Sequence, residues 1–307
     1  MRPSRSALLL LGLLWLACAR TAAAQGMHPL PVGPLPLHLR LAESDAVAIG
    51  TVAAISDGRI EVRDAIALRG EPGGTFEIKR APSKPSPIAV GQQAVFLLRG
   101  ARSPYVLVDD PKEQVVLRDE ESARVWRNAL AKLLAASGDP EKLLAVYVAW
   151  LDGSDETLRA SAASALLDAR SKLPALAEDA AIARARIALD PARPIVVRRI
   201  SAHLAATEVA GATALLRGIP GVEPDAQVVE TALLRGSLLH SPELPAALDR
   251  AFADDDAEIR RRALRVAEAT WSDQVAAKVR AIAEQDPDAE LRSEAGAAIA
   301  GHGSAKQ

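Results

Sequence analysis

Two stretches carry enough carboxylate and guanidinium groups to do chemistry: Asp254 to Ala263, DDDAEIRRRA, and, thirty-two positions on, Asp286 to Ala295, DPDAELRSEA. Clustered aspartates invite a calcium site, but an EF-hand loop also needs a glycine and a downstream bidentate glutamate, and both are missing here. The run Arg260 to Arg262 invites an anion hook, yet on a helix its members point in different directions, with Asp254 to Asp256 one turn away. The five histidines, His28, His38, His203, His240 and His302, have no metal-ligand spacing. No Gly-x-Ser-x-Gly, Ser-x-x-Lys, phosphate-cradling glycine loop or dinucleotide fingerprint occurs. The expectation is a chain without catalytic residues, cofactor or metal.

The same residues make mechanical sense as helix starts. An acid, then a branched aliphatic three positions on, arginine next and a small residue three later is the pattern of Asp155, Leu158, Arg159 and Ala162. It returns at Asp256, Ile259, Arg260 and Ala263, and at Asp288, Leu291, Arg292 and Ala295. Two degenerate copies lie between: Pro194, Val197, Arg198 and Ser201, then Asp225, Val228, Val229 and Ala232. The aliphatic positions step by 39, 31, 31 and 32 residues, the mark of a helical solenoid. Each aspartate is placed to accept from the free amides of a first turn. Each arginine can turn back to its own cap or reach the next repeat, so Asp155, Arg159, Arg198, Asp225, Asp256, Arg260, Asp288 and Arg292 are read as caps and ladder. Amphipathic helices are expected before the caps, starting near Leu173, Ser241 and Ser272, with Pro174 and Pro245 in first turns. Helix, turn and helix form one unit, and stacked units share a core that none could bury alone.

The segments DPDAELRSEAGAAIA and DDDAEIRRRALRVAEA resemble HEAT repeats of the short, bacterial, phycobilisome-lyase-like type, and the resemblance spans about residues 139 to 303. It implies a groove lined by the second helix of each pair, those starting near Asp155, Ile195, Asp225, Asp256 and Asp288. Outward positions there include Arg199, Arg235, Arg261, Arg265 and Glu268, a candidate surface for a protein partner. Residues 119 to 137, with Trp126, read as a first capping helix. Trp126, Trp150 and Trp271 fall on apolar helix faces.

Residues 43 to 118 are written differently. AVAIGTVAAIS is followed by Asp57 and Gly58, a tight hairpin signal, and by RIEVRDAIALRG. In that second run Ile60, Val62, Ile66 and Leu68 alternate with Arg59, Glu61, Arg63 and Arg69, the period of a half-buried strand. Apolar runs around Phe76, Phe96 and Tyr105 complete a small antiparallel barrel or sandwich. Through SDAVAIGTV, ALRG and VGQQAVFLL this part resembles the OB-type barrel of netrin-like and tissue-inhibitor-of-metalloproteinase-like modules. That resemblance implies a regulator or inhibitor of an envelope or extracellular protease.

The expected fold class is therefore α+β: a small β-barrel or sandwich followed by an all-α HEAT-like solenoid over 119–303. Ahead of it, Arg2 and Arg5, the apolar run Ala7 to Ala17 and the small residues Ala22 and Ala24 follow the order of an export signal over 1–24, too short to span a bilayer. The rival at this end is a lipid anchor on Cys18, the sole cysteine. The proline-rich segment 25–42 reads as an extended arm. At 307 residues, 49% apolar, 25% charged and net −2, the chain is globular and has no cationic footprint for nucleic acid. The reading is an exported, periplasmic or secreted, non-catalytic scaffold.

Overall fold

The computed structural model describes residues 35–56, 58–79, 88–108, 114–219 and 225–304. The export signal, the cut after Ala24, Cys18, the start of the arm and Asp57 lie outside the described residues. The chain divides into two compact units, Met1–Ala123 and Arg124–Gln307.

The first unit opens with a helix, Leu37–Ala42 (α1), where the sequence reads an extended arm. Leu37 and Leu41 stand one turn apart and both bury, so local amphipathicity overrides the prolines that precede it. Six strands follow: Ala46–Ser56 (β1), Arg59–Arg69 (β2), Gly74–Lys79 (β3), Gln93–Arg99 (β4), Tyr105–Leu107 (β5) and Val116–Leu117 (β6). The order is β1-β2-β3-β5-β4, and β4 pairs back onto β1, so five strands close a barrel while β6 pairs with the start of β4. Gly58, in the left-handed region at φ 82, closes the hairpin between β1 and β2.

Two expectations for this unit need correction. The barrel is not purely antiparallel: β3 and β5 run parallel. An odd ring cannot alternate direction all the way round, so one parallel pair is forced. Nor does β2 keep one phase along its length. Ile60 and Val62 are buried, but the register slips between Val62 and Ala65, with Asp64 at φ 52. One extra residue sends the later side chains to the other face. Ile66 is therefore 43% exposed, and Arg69 leaves solvent to donate to the Leu41 and Ser44 carbonyls beside α1. The barrel core gathers Ile60, Val62, Ile78 and Leu98 around Phe76, which meets Phe96 and Tyr105 edge-on, with ring centroids 6.0 and 5.6 Å away.

The second unit is helical. The helices are Glu120–Ala135 (α2, which straddles the division), Pro140–Asp152 (α3), Glu156–Leu167 (α4), Glu178–Ala188 (α5), Ile195–Ala205 (α6), Val209–Gly218 (α7), Ala226–Leu238 (α8), Leu244–Phe252 (α9), Ala257–Ala269 (α10), Asp273–Gln285 (α11) and Ala289–Ser304 (α12). Pro245 sits in the first turn of α9 as expected. Pro174 does not begin α5: a 3₁₀ turn at Ala169–Ser171 and a non-helical run precede Glu178. Proline disfavours helix for the residue before it, and Glu178 and Asp179 supply the first-turn charge instead.

The helices pack in consecutive pairs, α3 with α4, α5 with α6, α7 with α8, α9 with α10 and α11 with α12. The second members also touch in sequence: α4 with α6, α6 with α8, α8 with α10, α10 with α12. Their seams are made of small residues. Ala185, Ala202, Ala205, Ala232, Ala247 and Ala263 are all within 1% of complete burial. Glycines bring backbones closer still: a Cβ on Gly236 would meet Leu216 Cδ1 at 2.5 Å. Trp126 and Trp150 are buried, and Trp271 stacks on His302 at 4.0 Å.

Candidate functional site

The repeated aspartates end up at the first turns of the second helices. Asp155 accepts from the Leu158 amide at 2.8 Å, Asp225 from Val228 at 3.0 Å, Asp256 from Glu258 at 2.8 Å, and Asp288 from Glu290 and Leu291 at 2.9 and 3.0 Å. Each such cap contributes about 1 kcal/mol. At the second copy Pro194 gives α6 no side-chain cap.

The repeated arginines fold back over the turn that precedes their own helix. Arg159 donates to the Gly153 carbonyl at 2.7 Å, Arg260 to Asp254 and Asp255 at 2.8 and 3.0 Å, Arg292 to Asp286 at 2.5 Å, and Arg198 to Ala188 at 3.1 Å. These carbonyls belong to the turns that end the first helices, where backbone acceptors lack intrahelical partners. In the copy where Val229 replaces the arginine, the neighbouring helix fills in: Arg250 of α9 donates to the Leu216 and Ile219 carbonyls at 2.5 and 2.8 Å. Sequence reasoning missed Arg250. Its signal was the gap at Val229, which leaves the end of α7 without a donor.

A second set of contacts joins one helix pair to the next. Arg260 grips Asp286 with two hydrogen bonds, Nε at 2.8 Å and Nη2 at 2.9 Å, and both side chains are over nine-tenths buried. Arg199 grips Asp225 at 2.7 Å and Arg217 holds Glu243 at 2.8 Å, again twenty-six positions on. A thirty-two-residue offset links Arg184 to Asp152 at 2.5 Å and Arg262 to Glu230 at 2.6 Å. Arg261 faces Glu258, Asp288, Glu290 and Glu294 within 3.8 Å. Arg184 and Arg217 were not singled out by the sequence, and Asp286 and Arg262 were weighed there only as a calcium ligand and part of an anion hook; the constant offsets between arginine and acid were the readable sign.

Titration follows these contacts. The hydrogen bonds from Arg260, which outweigh burial, hold the Asp286 carboxyl below the ordinary carboxylate range. For Asp225 burial pushes upward, but the bonds from Arg199 and the Val228 amide together win and lower it. Burial, helped by the neighbouring Glu294, raises Glu268.

The five candidate surface residues differ in their partners and burial. Arg199 is spent on Asp225 and Arg261 on its ring of acids. Arg265 is exposed and Glu268 half-buried, one turn apart on α10. Arg235, on α8, is half-buried beside a cavity of about 370 Å³. Exposed aliphatic side chains instead concentrate on second helices: Leu167 on α4, Ile195 and Val196 on α6, Leu234 and Leu238 on α8. Among the described residues no group of three or more His, Cys, Asp or Glu is gathered as a metal site, and no helix is long and apolar enough to cross a membrane.

Comparison with family models, curated proteins and solved structures gives no match for this chain. Its class is therefore set by architecture alone: an α+β protein with a barrel unit and a unit of paired helices.

Proposed function

We propose that the chain is an exported, non-catalytic scaffold whose helical unit is a HEAT-like solenoid offering the surface of its second helices to a protein partner. The observation that carries this reading is the unbroken packing of α4 on α6, α8, α10 and α12. Such a row repeats one surface at one spacing, the way solenoids build extended binding faces. Exposed aliphatics on that row, Leu167, Ile195, Val196, Leu234 and Leu238, add the apolar contact area that a protein interface desolvates. Of the charged residues on that row, Arg199, Arg261 and Arg262 pair with acids of the chain, which leaves them to set orientation more than affinity.

The test is capture from an envelope fraction by the mature chain, wild type against the double variant L234D/L238D. A stoichiometric protein recovered by the wild type and lost by the variant supports the reading. Recovery of no stoichiometric protein by either sinks it.

A second reading, regulation or inhibition of an envelope or extracellular protease by the barrel unit, draws support from the ring order β1-β2-β3-β5-β4, which is the order of OB-type barrels. The mature chain would then suppress a metalloprotease in a panel, and no effect across the panel removes it.

A further inference from the structure

The cavity beside Arg235 has an apolar wall made by Leu144 of α3, Leu166 at the end of α4, Leu173 and Leu204 of α6. Its polar lining is cationic on balance: Lys172, His203 and Arg235 against one acid, Asp168, which is already engaged within the chain. Elsewhere in this unit the described buried and half-buried arginines each have at least one partner within the chain. Arg184, Arg261 and Arg262 bind carboxylates, Arg159, Arg198, Arg250 and Arg292 bind carbonyls, and Arg260 binds both. Arg235 is the exception: half-buried, its guanidinium has no hydrogen bond or ion pair among the described residues.

A guanidinium with no counter-charge, set beside apolar walls, can take a bound anion in a bidentate contact without first giving up a partner. The imidazole of His203, which also lines the cavity, is held toward its neutral form, by burial first and by the Arg235 charge second. A neutral imidazole still offers one N–H. The volume, about 370 Å³, lies at the small end of ligand pockets, and leucine walls with a few converging polar groups are how such pockets are built.

We propose that this cavity binds a carboxylate carried on a short aliphatic body, its oxygens on Arg235 with His203 and Lys172 beside them, its hydrocarbon against the leucines. The proposal goes beyond the partner-binding reading and stands or falls without it. Two sources share this chemistry, a free medium-chain carboxylic acid and the last residue of a peptide ending in leucine.

Titration calorimetry on the mature chain distinguishes them with three probes: octanoate, N-acetyl-leucyl-leucine and octanamide. Binding of either acid, at least tenfold tighter than the amide, supports the site, and the tighter acid names the source. The variant R235Q should lose tenfold or more in acid affinity at an unchanged unfolding temperature, and K172Q should lose less, with weaker dependence on salt. Absence of binding by both acids, equal binding of octanoate and octanamide, or full acid affinity in folded R235Q overturns the proposal. Should R235Q fail to fold, the comparison of acid with amide on the wild type still decides.

Discussion

Arg260 and Asp286 form a two-pronged, buried ion pair that joins α10 to the end of α11, and each partner is also tied to backbone. Arg260 holds the Asp254 and Asp255 carbonyls, while Asp286 accepts from the Asp288 amide and its carbonyl receives Arg292. Among the ion pairs that join the last two helix pairs, this one is over nine-tenths buried on both sides.

Breaking that pair on one side leaves a buried charge uncompensated. R260M should cost about 3 kcal/mol or more in urea unfolding, and R260M/D286L should recover part of the loss, because removing both charges also removes the desolvation cost. A double variant worse than the sum of the singles would refute this account.

The same contact makes acid stability depend on Asp286. Its folded-state pKa lies below the unfolded value, so its contribution is complete above about pH 4, the ordinary aspartate value, and drains away as pH falls toward the folded pKa. D286N should flatten the fall of unfolding temperature below pH 4; an unchanged acid slope would count against it.

His203 acts in the opposite range. Burial, then Arg235, depresses its pKa, so the unfolded chain binds a proton more readily and the fold weakens as pH drops below about 6.5. H203Q should show a smaller loss of unfolding temperature between pH 7 and pH 5 than the wild type.

Two helical glycines should respond with opposite signs to alanine. At Gly211 a Cβ would run into the Ala205 carbonyl oxygen and Ala181, while at Gly296 it would meet nothing within 4 Å. G211A should destabilise by about 1–3 kcal/mol through overpacking, whereas G296A should stabilise by about 0.5–1 kcal/mol through helix propensity. Chemical denaturation of the two variants measures both.

Much of this was legible before any coordinates. Asp155, Asp225, Asp256 and Asp288 could be placed as caps because capping is local, decided by a residue and the three that follow it. The start of α5 was not, since Pro174 fits a first turn as well as a loop and neighbouring packing decides. Nor was the slip in β2, where Asp64 adds one residue that no alternation of apolar and polar reveals. The cation-lined cavity draws on residues from Leu144 to Arg235, and no local pattern brings them together.

By itself the sequence determined where the second helices begin, the step between them and the change from strand to helix writing, because amide capping and side-chain periodicity act over a few residues. Only the tertiary structure decided which acids Arg184, Arg199, Arg260 and Arg262 meet, that Arg250 stands in where Val229 offers no donor, and that Arg235 has no ion-pair partner among the described residues. Those outcomes depend on how closely alanine and glycine seams let neighbouring helices approach, a distance set by packing across the whole unit.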